Sequence, residues 1–203
     1  AQSVSIPTPN WLLITIDRNI GIRLQDFDTS KFKLPYVVKP SDEGSTYGLS
    51  IVYDESELPE AIGCAFEFSN EILIEEYIPG RELTVGILGD RALPVIEIQP
   101  SHNLYDFDCK YVEGLSKYVV PAQLSDILTK NISADALKIY QTLDCRHYAR
   151  IDFRINEKNE YYFLEINTLP GMTSTSLLPK AAKSAGLEFS DLIKTIINLA
   201  KEG

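Results

Sequence analysis

The chain has 203 residues, 44% of them hydrophobic, enough for one large domain or two small ones with real cores. Its 19 Lys and Arg against 29 Asp and Glu leave a formal net charge of −10, which excludes bulk nucleic-acid binding through a basic face. No apolar run approaches the roughly 18 residues of a membrane span, the start carries no secretory signal pattern, and Cys64, Cys109 and Cys145 are too scattered for a disulfide framework. A cytoplasmic protein with reduced thiols is expected, with neither nucleic acid nor membrane as partner.

The opening "SIPTPNW" is Pro-rich and reads as a linker or lead-in loop. Tyr36–Lys39, "YVVK", is a short strand ended by Pro40. The polar loop "PSDEGSTYG" follows, with Gly44 and Gly48, and Leu49–Tyr53 resumes as a strand. Asp54 or Ser56 caps a helix running to about Phe68. Glu71–Tyr77 is a strand, turned by Pro79–Gly80. Glu82–Leu88, Arg91–Leu93 and Val95–Ile98 follow as strands, with Gly89–Asp90 as a tight turn. Ser101–Tyr118 is irregular, polar and aromatic, a length that is functional or disordered in most domains. Ser125–Thr142 has helical periodicity through Ile127, Leu128, Ile132, Ala136, Leu137 and Ile139. His147–Ile155 and Glu160–Ile166 read as a hairpin turning near Asn156–Asn159. Leu178–Ala185 and Phe189–Leu199 read as closing helices. Antiparallel strands with interspersed helices make the fold class α+β.

The hairpin carries the first chemical signal. An even-numbered loop pairs even positions with odd ones, so Arg150 and Asp152 share a face with Glu165 and Asn167. Ile151, Phe153, Leu164 and Ile166 then take the apolar face. Clustered carboxylates repel unless a cation lies between them, and hard oxygen ligands suit Mg²⁺, which takes one or two carboxylates plus phosphate oxygens. A solvated sheet face with one Arg–Asp pair would give the same pattern.

The stretch "NTLPGMTSTSLLP" follows directly. Gly171 allows close backbone approach, and Ser176–Leu177 lies near a helix start, whose N–H groups bind anions. A plain capped helix with a Ser/Thr loop is the alternative. The loop after Lys39 is not a Walker A sequence. It could close over phosphates with Lys39 as a point charge, or be an ordinary hairpin loop. Lys110 and Tyr111 lie in the irregular stretch and could reach the same place.

In this order the blocks "VVKPSDEGSTYG", "LIEEYIPGRELTVGIL", "YDFDCKY" and "ARIDFRI…YYFLEINTLPGMTSTSLLPKAA" resemble the ATP-grasp superfamily, and specifically the D-alanine–D-alanine ligase family. The resemblance implies two α+β lobes whose antiparallel sheets clasp ATP, a central lobe over 1–80 and a catalytic lobe over 81–203. It implies that Lys39 and Lys110 bind phosphates, that Glu75, Glu76, Ile78 and Leu164 surround adenine, and that Glu82 holds the ribose. Asp152, Glu165 and Asn167 would hold two Mg²⁺ or Mn²⁺ ions. Arg150 and the Gly171 N–H would stabilise an oxyanion, and Ser176 and Leu177 would receive the acceptor carboxylate. Ser45 and Tyr111 would order the loop and the substrate.

The implied reaction joins two D-alanines through an acyl phosphate for peptidoglycan precursors, and a homodimer is compatible with it. Members of the family begin with a substrate-binding domain, which is expected to be missing before "SIPTPNW". Leu104 stands where the family has an aromatic residue before "YDF", so one adenine wall is expected to differ. A D-serine or D-lactate acceptor is the neighbouring reading, with Tyr111 against D-lactate. A nucleotide-binding module without ligase activity is the third.

Overall fold

The computed structural model describes residues 1–17, 32–44, 46–100, 116–173 and 175–202. They divide into two units. One is built from Pro9–Ile78; the other joins Ala1–Thr8 and Pro79–Gln99 to the chain from Ser116 onward.

In the Pro9–Ile78 unit, β1 (Trp11–Thr15), β2 (Tyr36–Pro40), β3 (Ser50–Val52) and β4 (Glu71–Glu76) form an antiparallel sheet in the order β1-β4-β2-β3. Alternation sends Tyr36, Val38, Ile72 and Ile74 to one face. There they meet Leu58, Ala61, Ile62 and Ala65 of α1 (Leu58–Phe68). Asp54 starts this helical stretch: its carboxylate accepts from Ser56 N at 2.8 Å, and Glu57 reaches back to Asp54 N. This reciprocal cap satisfies donors that a helix start leaves free. The cap first supports a 3₁₀ turn over Glu55–Glu57, and α1 proper begins with Pro59 in its first turn.

The other unit carries β5 (Arg81–Leu88), β6 (Arg91–Ala92), β7 (Ile96–Pro100), β8 (Ser116–Val119), β9 (Tyr148–Ile155) and β10 (Tyr161–Asn167). The sheet runs β10-β9-β5-β7-β8, with β6 paired to β5. One face buries Leu83, Val85, Ile87, Ile151, Phe153 and Ile155 under Ile132, Ala136, Ile139 and Tyr140 of α2 (Asp126–Thr142). Ser125 caps α2, its hydroxyl accepting from Leu128 N. On the opposite face lies α3 (Leu177–Ser184), followed by α4 (Phe189–Glu202). Glycine at position 86 leaves room for this: a Cβ there would stand 2.6 Å from Leu178 Cδ1 and 3.2 Å from Leu93 Cδ1, so both leucines would have to shift.

Four expectations change. The opening segment is no loose linker. Ile6 lies in the α2 core, Pro7 O accepts from Phe163 N at 2.8 Å, and Thr8 Oγ1 donates to Phe163 O at 3.0 Å. "WLLIT", unassigned from the sequence, is β1, held by pairing Trp11–Thr15 with Glu71–Glu75. The stretch ending at Tyr118 is not irregular throughout, because Ser116–Val119 forms β8; residues 101–115 lie outside the described residues.

The fourth change concerns the hairpin. The chain turns at 156–160, where Asn156 Oδ1 accepts from the N–H groups of Lys158 and Glu160. Tyr161 pairs with Ile155 and Phe163 with Phe153, odd with odd. A β-bulge then skips Leu164, and Glu165 pairs with Asp152 and Asn167 with Arg150. The expected face for the polar residues is therefore reached through the bulge, not through the turn. Leu164 is corrected: it is the skipped residue, and Tyr161, Phe163 and Ile166 pack on the core. Without that extra residue, Glu165 and Asn167 would follow Phe163 inward.

Candidate active site

The face of β5, β9 and β10 opposite α2 gathers Glu82 and Thr84, then Arg150, Asp152 and Arg154, then Glu165 and Asn167. Asp152 is its centre and is only 6% exposed. Arg150 donates Nε to Oδ1 at 2.9 Å and Nη2 to Oδ2 at 2.8 Å, a two-pronged pair. Thr84 Oγ1 donates to Oδ1 at 2.6 Å, and Asn167 Nδ2 to Oδ2 at 3.1 Å. A carboxylate this deep needs such a set of donors to stay ionised.

Asn167 Nδ2 also donates to Glu165 Oε1 at 3.1 Å. One amide nitrogen thus bridges two carboxylates on neighbouring strands, which marks a place where positive charge is favoured. Among the described residues no three acidic, His or Cys side chains gather as metal ligands. A cation here would take two carboxylates and, once the amide turns over, its oxygen. That hard-oxygen set fits Mg²⁺ or Mn²⁺.

Two members of this face carried no signal singled out from the sequence. Thr84 is a buried hydroxyl in the otherwise apolar run "TVGIL", and that break in polarity was the available clue. Arg154 lies 3.7 Å from Glu82 Oε2 through Nη1 and donates Nη2 to Gly80 O at 3.0 Å. It holds the carboxylate expected at a ribose.

After β10 the chain folds back on Ser176. Its hydroxyl accepts from Thr173 N at 3.0 Å, lies 2.8 Å from Thr173 Oγ1, and would be 2.9 Å from a Cβ at position 171. A side chain at 171 would therefore displace the Ser176 hydroxyl. Ser176 is the N-cap residue of α3 by backbone, yet its side chain makes no capping bond; it ties the loop instead. The first N–H groups of α3 have no partner within the helix. Leu177 is buried.

In the other unit, Lys39 Nζ donates to Glu75 Oε1 at 2.7 Å, with both side chains mostly buried. Glu76 accepts from Asn10 Nδ2 at 3.0 Å, and Ile78 is buried. Each unit therefore holds its own part of the expected nucleotide site: Lys39, Glu75, Glu76 and Ile78 in one, Glu82, Leu164 and the carboxylates in the other. Ser45, Lys110 and Tyr111 lie outside the described residues, as do Leu104 and Cys109. Cys64 and Cys145 are free thiols. No helix among the described residues is long and apolar enough to cross a membrane.

Known proteins agree with this architecture. The family model described as D-ala D-ala ligase C-terminus matches residues 1–198. A D-alanine–D-alanine ligase of Carboxydothermus hydrogenoformans is 42% identical over 100% of this chain and 66% of its own length. One from Halalkalibacterium halodurans is 45% identical over 92% of this chain and 64% of its own. A crystal structure of D-alanine–D-alanine ligase from Bacillus anthracis superposes with a TM-score of 0.84 at 35% identity, covering 100% of this chain and 66% of that one. A second from the same organism, complexed with ATP, gives 0.78 at 32%, covering 99% and 61%. The VanG D-Ala:D-Ser ligase of Enterococcus faecalis gives 0.82 at 30%, covering 98% and 58%. The chain spans at most about two thirds of the length of these relatives. Its α+β fold is the ATP-grasp fold of those ligases, and the chain belongs to the D-alanine–D-alanine ligase C-terminal family.

Proposed function

We propose that this chain supplies the nucleotide, metal and acceptor sites of an ATP-dependent D-alanine–D-alanine ligase acting in peptidoglycan precursor synthesis. The observation that carries the reading is the polar sheet face on which Asn167 bridges Asp152 and Glu165 while Arg150 grips Asp152. Pairs of carboxylates on rigid strands serve phosphoryl transfer, where catalysis is positioning plus charge stabilisation. The family membership and the ATP-complexed relative support ATP as co-substrate.

The roles follow from the residues. Asp152, Glu165 and Asn167 would hold Mg²⁺ or Mn²⁺, two ions in full loading. Bound metal supplies charge screening of the phosphate oxygens. Lys39 and Lys110 would steady the phosphates, Glu75, Glu76, Ile78 and Leu164 would enclose adenine, and Glu82 would take the ribose hydroxyls with Arg154 holding it. The carboxylate of one D-alanine takes the γ-phosphoryl group, giving an acyl phosphate. The amine of the second D-alanine attacks that carbonyl, and phosphate leaves. Arg150 and the Gly171 N–H would meet the oxyanion, Ser176 and Leu177 the acceptor carboxylate, and Ser45 with Tyr111 would order the substrate. Residues 1–80 and 81–203 would be the central and catalytic lobes, in a cytoplasmic protein with a homodimer compatible.

The test incubates the native protein with D-alanine, Mg²⁺ and ATP, and assays phosphate and dipeptide separately. With the family's substrate-binding domain present, one dipeptide per phosphate is expected, and ATP hydrolysis without dipeptide refutes the ligase reading; residues 1–203 alone should bind Mg·ATP weakly and form no dipeptide at a useful rate. Glu165→Gln, titrated calorimetrically with Mg·ATP, should bind at least about tenfold more weakly. An unchanged affinity refutes the metal assignment. The similarity to a D-Ala:D-Ser ligase makes D-serine the competitor to offer.

A further inference from the structure

We propose that Lys180 is a positioning residue for the acceptor site, a role that rests on the ligase reading above. Its ammonium donates to the carbonyl oxygen of Thr175 and lies 5.0 Å from the centroid of the Tyr118 ring. The stem springs from the first turn of α3, and its backbone N–H bonds Ser176 O at 3.2 Å. The backbone bond is the ordinary helical one, so the hold that the lysine side chain itself adds on the residues before α3 is the bond to Thr175 O.

The consequence falls on Ser176 and Leu177. The loop that presents them is also held by Thr173 N donating to Ser176 Oγ and Ser176 N donating to Thr173 O, each at 3.0 Å, and by hydroxyl contacts in which Thr173 Oγ1 lies 3.1 Å from Thr175 Oγ1 and 2.8 Å from Ser176 Oγ. Such contacts among exposed hydroxyls exchange readily with water. The ammonium bond is exposed as well, but a charged donor makes a stronger hydrogen bond than a neutral hydroxyl. Partial burial of the side chain pushes the Lys180 ammonium below the usual lysine range. The Tyr118 face adds a second attraction. A fixed positive charge next to the α3 N-terminus also favours an arriving carboxylate over a neutral group.

The chemical class that benefits is a small amino acid presenting a carboxylate. Fixing the N–H groups of α3 in advance lowers the ordering cost that the acceptor would otherwise bear. Phosphate handling should be untouched, since Lys180 makes none of the contacts around Asp152.

Lys180→Met keeps most of the stem and removes the charge and the donor; Lys180→Arg restores both. In the native protein, Lys180→Met should raise the D-alanine concentration for half-maximal dipeptide formation by about tenfold. The KM for ATP should stay within about twofold, and Lys180→Arg should recover most of the loss. Amide hydrogen exchange on the unliganded protein gives a readout free of activity: Lys180→Met should speed exchange at Thr173, Thr175 and Ser176 and leave β9 unchanged. A parent that makes no dipeptide overturns the ligase reading, while the exchange arm still decides whether Lys180 orders the loop. Equal losses for D-alanine and ATP, unchanged exchange at 173–176, or uniform acceleration across the unit would each overturn the proposal.

Discussion

Truncating Phe163 and Leu164 separately to alanine should give opposite results, although the two are adjacent and both apolar. Phe163 packs on the α2 core and meets Phe153 edge-on, with centroids 6.1 Å apart. A fully buried Phe→Ala change costs roughly 3–5 kcal/mol. Phe163 is half-buried, so about 2–3 kcal/mol is expected, including part of the aromatic pair. Leu164 is skipped by the β9–β10 register, so Leu164→Ala should cost about 1 kcal/mol or less, within the range of substitutions away from a core. The assay is urea denaturation followed by far-ultraviolet circular dichroism. Trp11 lies in the other unit, so indole fluorescence does not report on β10. On the nucleotide side the order should reverse: Leu164→Ala should weaken Mg·ATP binding several-fold. Should Leu164→Ala destabilise by as much as Phe163→Ala, then Leu164 lies in the core, the ladder has no bulge at that residue, and the argument for how Glu165 and Asn167 reach their face collapses.

Thr84→Val preserves shape and removes the hydroxyl from buried Asp152; it should cost about 2 kcal/mol, as for a hydrogen bond to a charged group, and a loss under about 0.5 kcal/mol in denaturant titration would count against the network. Arg81, bonded to Glu97 at 2.5 Å, holds the Glu97 carboxyl below its ordinary value of 4.5 despite burial. Its contribution is therefore present above that value and is lost as pH falls through the lower folded-state value. The stability gap between the parent and Glu97→Gln should be flat near neutrality and shrink below about pH 4.5; a gap that grows on acidification would reverse the sign of this account.

The elements most legible in the sequence were those with local chemistry. Asp54 or Ser56 announced a helix start, with Asp54 proving to be the cap, Pro40 ended β2, and Asn156–Asn159 announced a turn. The strands missed were those whose reason lies elsewhere in the chain. "WLLIT" follows a Pro-rich run and is a strand because Glu71–Glu75 stands opposite it. Ser116–Val119 is the end strand of its sheet, beside β7, and its four residues alone carry little periodicity to announce it. The polar face was foreseen with the right members and an incomplete reason, because parity was counted from the turn while a skipped residue corrects it. Nothing local in "YYFLEIN" distinguishes Leu164 from Phe163 as the residue to skip. Thr84 was overlooked because its partner Asp152 is 68 positions away.

The strap of Pro7 and Thr8 across Phe163 ties residues 155 positions apart. During synthesis, Ile6 and that strap leave the ribosome long before β9 and β10 exist to receive them. All four strands of the Pro9–Ile78 sheet are made in the interval, and each pairs within that span. Vectorial synthesis thereby sets an order: the sheet of Pro9–Ile78 has all its strands once Glu76 is made, while the other sheet waits for β10. Until then Ile6, Pro7 and Thr8 lack their partners, and the sheet that carries Asp152 is incomplete.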